Sequence, residues 1–135
     1  MNPLGPLAAA TAFLSIWLGH VSVRRIEAAS PRLWVPTAML IAAGGLLEWI
    51  AAASDSMLAS TAAGIVGVTF LWDSVELWRQ QDRIRRGHAP ANPANPRHRG
   101  MLEEWGSRAT TVDVLRRDPL GRAVSLEDTA GAARH

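Results

Sequence analysis

The fold class this sequence predicts is an all-α integral membrane protein: three transmembrane helices, the third extended into the cytoplasm, followed by a largely irregular C-terminal tail. Two observations carry that expectation. Hydrophobic residues make up 48% of the 135-residue chain and are concentrated in residues 4–23, 33–53 and 57–72, while residues 79–135 are mostly polar. Each apolar block is close to the ~20 residues a helix needs to cross ~30 Å of hydrocarbon. Stretches such as "LAAATAFLSIWLG" and "MLASTAAGIVGVTFLW" also lack the polar residue every third or fourth position that a soluble amphipathic helix would show.

The first span is expected at about residues 4–23, with Pro3 and Pro6 at its entry, where a helix tolerates proline. The stretch differs from a signal peptide in lacking a basic leading region and a small-residue cleavage site after its apolar run. A link with Arg24, Arg25, Glu27 and Arg32 leads to a second span at about residues 33–53. The turn Ser54-Asp55-Ser56 suits a helix cap. The third span is expected at about residues 57–78, its helix continuing to about Arg86. Gly87 stands at the C-terminal stop, and Pro90, Pro93 and Pro96 prevent resumption. These elements form a membrane domain over residues 1–96. The polar cytoplasmic tail, 97–135, is expected to be disordered or laid on a partner, with a short helix around "MLEEWGSRA" and a turn at "DPLGR".

Cations sit at two exposed ends: Arg24, Arg25 and Arg32 after the first span, and Arg79, Arg83, Arg85, Arg86, Arg97 and Arg99 after the third. By the positive-inside rule both ends face the cytoplasm, which places the N-terminus outside. Trp34, Trp72 and Trp78 would then lie in the inner aromatic belt and Trp49 near the outer one. Anionic lipid headgroups are the expected partners of Arg79, Arg83, Arg85 and Arg86, and juxtamembrane placement argues against nucleic acid.

With no cysteine, the chain has no disulfide, thiolate nucleophile or sulfur-ligated metal. It also has no phosphate-cradling glycine loop, metal-ligand spacing or nucleophile–base pairing, so no catalytic, metal or cofactor site is expected. A bis-histidine haem needs two histidines at matching depth, and only His20 lies in a span. Glu48 lies about 8 Å inside the second span at ~1.5 Å per residue. Intramembrane acids mark ion or proton paths; the alternative is a glutamate snorkelling to the interface. Its helical neighbours Gly44, Gly45 and Ala52 form a small-residue face suited to helix packing, as do Ser60, Gly64 and Gly67 on the third helix. His20, Arg24, Arg25, Glu27, Asp73 and Glu76 are expected to gather at the inner surface. They would form either a proton- or ion-binding site or a salt-bridge knot that ties the helices together.

Several of these residues carry a resemblance. Gly19, His20, Arg25 and Glu27 end the first span, with Val21 in place of an expected proline. Trp34-Val35-Pro36 opens the second. Leu71, Trp72, Glu76, Leu77, Gln80, Arg83, Arg86, Gly87, Pro90, Asn92 and Pro93 close the third, with His88 and Ala89 where aromatic residues are expected. In these features residues 4–96 resemble a family of small bacterial three-span inner-membrane proteins known as a domain of unknown function. The resemblance implies three spans and brings no activity or catalytic residue. The expected function is a non-enzymatic accessory or assembly subunit of a bacterial cytoplasmic-membrane complex, associated with another membrane protein or with itself. The alternative is a small oligomeric transport or proton-handling protein.

Overall fold

The computed structural model describes residues 2–117 and 123–125. Helices dominate: α1 Leu4–Ala29, α2 Trp34–Ala53, α3 Met57–Arg85 and α4 Pro96–Glu104, followed by strands β1 Val112–Arg117 and β2 Ala123–Ser125. The first three helices are long and apolar enough to cross a membrane. This is a small multi-pass membrane protein. The expected turn at 118–122 and the tail beyond 125 lie outside the described residues.

The chain divides into two compact units, one of residues 1–26 and 33–78, the other of residues 27–32 and 79–135. In the first unit the Asn2 side chain accepts from the Leu4 N–H at 3.0 Å and opens α1. Ser56 does the same for α3, accepting from the Ala59 N–H at 3.4 Å. Both small polar residues satisfy amides that a helix start leaves without partners. Val23, Leu33 and Leu77 form a buried cluster, with Ile26 and Leu40 packed on it.

Antiparallel α2 and α3 are joined along a seam of small residues. The Ser60 hydroxyl donates to the Ala51 carbonyl at 2.8 Å. A Cβ added at Gly64 would stand 3.7 Å from that of Ala51. One added at Gly67 would meet Glu48 Oε1 at 2.7 Å and the Gly44 carbonyl at 3.1 Å, and one added at Gly44 would meet Leu71 Cγ at 2.8 Å. At the far end the Trp78 indole N–H donates to Thr37 Oγ1 at 3.1 Å. Gly44 and Gly67 therefore let the two backbones approach closely, as expected for helices packing without a hydrophobic drive between them. Gly45 does not share that contact: a side chain there would meet nothing within 4 Å. The reason is angular, since consecutive residues on a helix are ~100° apart and only one of the pair can face α3.

In the second unit Gly87 ends α3 at φ 75°. The His88 N–H donates to the Arg83 carbonyl at 2.8 Å and the Gly87 N–H to that of Ile84 at 3.0 Å. This is the paired arrangement that closes a helix on a left-handed glycine. Asn95 caps α4, accepting from the Arg97 N–H at 3.0 Å, and Pro96 fills the first helical position. The short helix of the tail thus starts at Pro96, five residues before the "MLEEWGSRA" stretch, because its cap and proline lie there. Ile84, Ala89, Ala91 and Met101 form this unit's apolar cluster, with Leu102 against it. β1 and β2 pair antiparallel, Val112 opposite Ser125 and Asp113 opposite Val124.

Candidate functional site

Two polar sites emerge, one in each unit, and they separate residues expected in a single inner-surface cluster: His20, Asp73 and Glu76 fall in the first and Glu27 in the second. In the first unit, His20 and Ile16 from α1 face Val68, Thr69, Trp72, Asp73 and Glu76 from α3 across a cavity of about 390 Å³. Helical spacing explains the α3 contribution, since residues 69, 72, 73 and 76 recur every three or four positions and share one face. Gly19 makes the approach feasible. Its missing side chain leaves room for Asp73, whose Oδ2 lies 2.6 Å from where a Cβ would stand. Asp73 and Glu76 are 8% and 6% exposed, so both carboxyls are withdrawn from solvent among these helices. His20 and Glu76 are the titratable neighbours of Asp73. Arg24 and Arg25, expected in the same cluster, are exposed and do not line the cavity.

Glu27 belongs to the second unit, where it is fully buried. Its Oε1 accepts from Arg97 Nη2 at 2.8 Å and lies 3.1 Å from His98 Nε2. The backbone N–H of Asn92 donates to His98 Nδ1 at 2.8 Å, so that nitrogen must offer a lone pair. The ring proton therefore sits on Nε2 and is donated to Glu27. The 3.1 Å approach of Arg97 Nη2 to that nitrogen brings two donors together on one carboxylate oxygen. Glu27 Oε2 is buried with no hydrogen-bond partner among the described residues.

The same segment also closes the end of α1. Asn92 Nδ2 and Asn95 Nδ2 both donate to the Ala28 carbonyl at 3.0 Å, and Asn95 Nδ2 also reaches Ser30 at 3.1 Å. Arg97 adds bonds to the carbonyls of Ser30 at 3.2 Å and Glu27 at 2.7 Å, and to Gln81 Oε1 at 2.8 Å. A helix leaves its last four carbonyls unsatisfied, and here those of Glu27 and Ala28 are met by side chains more than sixty residues away in sequence. Sequence reasoning did not find Gln81, Asn95, Arg97 and His98. The available signal was the pair of asparagines and the Asn95-Pro96 cap, which mark a built turn.

Glu48 packs at the α2–α3 crossing, where Oε1 is buried with no hydrogen-bond partner among the described residues. Of the arginines expected at headgroups, Arg86 pairs with Asp82 at 2.7 Å and Arg83 donates to Gln80 at 2.9 Å. With Arg79 and His88 they border an open depression of about 480 Å³. Arg85 is turned inward, its Nε buried, and so differs from a freely exposed headgroup ligand. Among the described residues, no three His, Asp or Glu side chains are grouped to hold a metal ion.

No curated protein and no solved structure matches the chain. One family profile does, described as a domain of unknown function (DUF4491), over residues 2–95. Its limits take in all three spans, the cavity residues and both asparagines that close α1. The chain belongs to this family.

Proposed function

We propose that the chain is a non-enzymatic accessory or assembly subunit of a bacterial cytoplasmic-membrane complex, with its N-terminus outside and its C-terminus in the cytoplasm. The observation that supports this is the open notch at Gly45. There α2 offers a glycine with nothing of its own chain near it, flanked by exposed Ile41, Leu46 and Trp49. Acyl chains fill such a notch loosely, whereas a second helix can bring its backbone close and gain dispersion contact. Much of the chain's polar chemistry is meanwhile engaged in holding itself together, as at Glu27, Asn92, Asn95 and Arg97. The partner is another membrane protein or a second copy. The cytoplasmic arginines Arg79, Arg83 and Arg86 would rest against anionic headgroups.

A photo-crosslinking residue placed at the exposed Ile41, one turn from Gly45 on α2, tests this in intact cells. It should give one discrete adduct, while the same residue at the exposed Phe13 of α1 gives none or a smear. Equal, diffuse labelling from both positions would contradict the proposal.

The second reading, a small oligomeric transport or proton-handling protein, is favoured by the cavity where His20, Asp73 and Glu76 converge. Reconstituted vesicles discriminate. Proton or cation flux that is lost in Asp73→Asn supports it, and flux unchanged in both Asp73→Asn and Glu48→Gln removes it.

A further inference from the structure

We propose that the cavity between α1 and α3 is a binding site for a lipophilic organic monocation, such as an amine or quaternary centre carrying apolar substituents. Its volume, about 390 Å³, falls within the ~300–1,000 Å³ of small-molecule sites. Its wall is mostly apolar, with Ile16, Val68 and the half-exposed indole of Trp72. Set into that wall are two carboxyls and one imidazole, and no arginine.

Asp73 is the centre of the site. It is more than nine-tenths buried and lines the cavity beside His20. A carboxyl in that position needs a counter-charge or a donor, because burying it bare costs far more than burying any neutral group. Gly19 sharpens the point. A side chain there would push Asp73 away, so Gly19 lets this carboxyl rest against the backbone of α1 at the cavity's edge.

The lining selects among occupants. An anion is repelled by Asp73. A bare metal ion needs several oxygen or nitrogen ligands, and no group of three suitable side chains is present among the described residues. A lipid acyl chain would fill the volume but leave the Asp73 carboxyl facing hydrocarbon. A cation with an apolar body answers both parts of the wall. Its charge meets Asp73, its substituents meet Ile16 and Val68, and the Trp72 ring face adds a cation–π contact. Such amphiphiles also concentrate at the membrane interface, where tryptophans such as Trp72 are enriched.

The inference rests on the cavity of the second reading above, and it asserts binding, not movement. Equilibrium binding of radiolabelled tetraphenylphosphonium to the full-length chain in mild detergent tests it. We expect saturable binding of one cation per chain, weakened at least tenfold in Asp73→Asn and unchanged in Glu48→Gln, which lies outside the cavity. Ile16→Trp keeps both carboxyls and fills the space, so it should abolish binding even if Asp73→Asn does not fold. Tetraphenylborate, of the same shape and opposite charge, should not compete. Wild-type affinity in folded Asp73→Asn, or in Ile16→Trp, would overturn the proposal. So would equal competition by the borate, which would mark a plain apolar cleft suited to an acyl chain. Binding without flux in vesicles would leave the site standing and remove only the transport reading.

Discussion

Replacing Arg97 with alanine should unfasten the segment that closes α1. Arg97 donates to Glu27 Oε1 and O, to Gln81 Oε1 and to the Ser30 carbonyl, at 2.7–3.2 Å. Its removal leaves the Glu27 carboxylate, which is 0% exposed, with His98 as its one remaining donor among the described residues. Breaking a buried pair in this way costs about 3–5 kcal/mol, because one charge is stranded in a low-dielectric setting. At about 1.4 kcal/mol per tenfold, local opening should become roughly 100- to several-thousand-fold more frequent. Amide hydrogen exchange over residues 92–104, measured in micelles by mass spectrometry, reads this directly. The double variant Glu27→Gln/Arg97→Ala should recover part of the protection, since the stranded group is then neutral. Arg97→Lys should recover little, because an ammonium cannot fork to carbonyl and carboxylate together. Protection within threefold of wild type in Arg97→Ala would refute the reasoning, as would a double variant no better than the single.

Gly67→Val should lower stability by about 1–3 kcal/mol through overpacking against the Gly44 carbonyl and Glu48. Gly45→Val, facing open space, should stay within about 0.5 kcal/mol; thermal unfolding followed by tryptophan fluorescence compares the two. Asn95→Ala loses the α4 cap and both bonds to the end of α1. It should cost about 1–2 kcal/mol by the same exchange measurement, and less than Arg97→Ala. Because the chain has no cysteine, single cysteines at Ser56 and Arg99 can be probed with a membrane-impermeant maleimide on a clean background. Labelling of position 56 from outside intact cells, with position 99 reached only after lysis, is the expected result.

The spans could be read from sequence because a bilayer imposes a length and a hydropathy that few soluble segments meet. The two ends of α3 are legible for a local reason, as Ser56 and Gly87 act on amides and carbonyls within five residues of themselves. His20, Asp73 and Glu76 could be grouped because α1 and α3 run in the same direction, which brings matching ends to matching depth. Glu27 was grouped with them by depth alone. Its partners Arg97 and His98 stand seventy residues further on in a segment with little hydrophobic pattern, and no periodicity signals such a contact. Gly44 and Gly45 were indistinguishable in sequence. Which of them meets α3 depends on the rotation of α2 about its own axis, and packing sets that rotation.

Native mass spectrometry of the full-length chain, released from mild detergent, tests the central claim most directly. The account predicts a complex of fixed stoichiometry, with a second membrane polypeptide or a second copy, that is lost in Gly45→Leu while the chain remains folded. A monomer in both wild type and variant, recovered under conditions that preserve other membrane complexes, would contradict it.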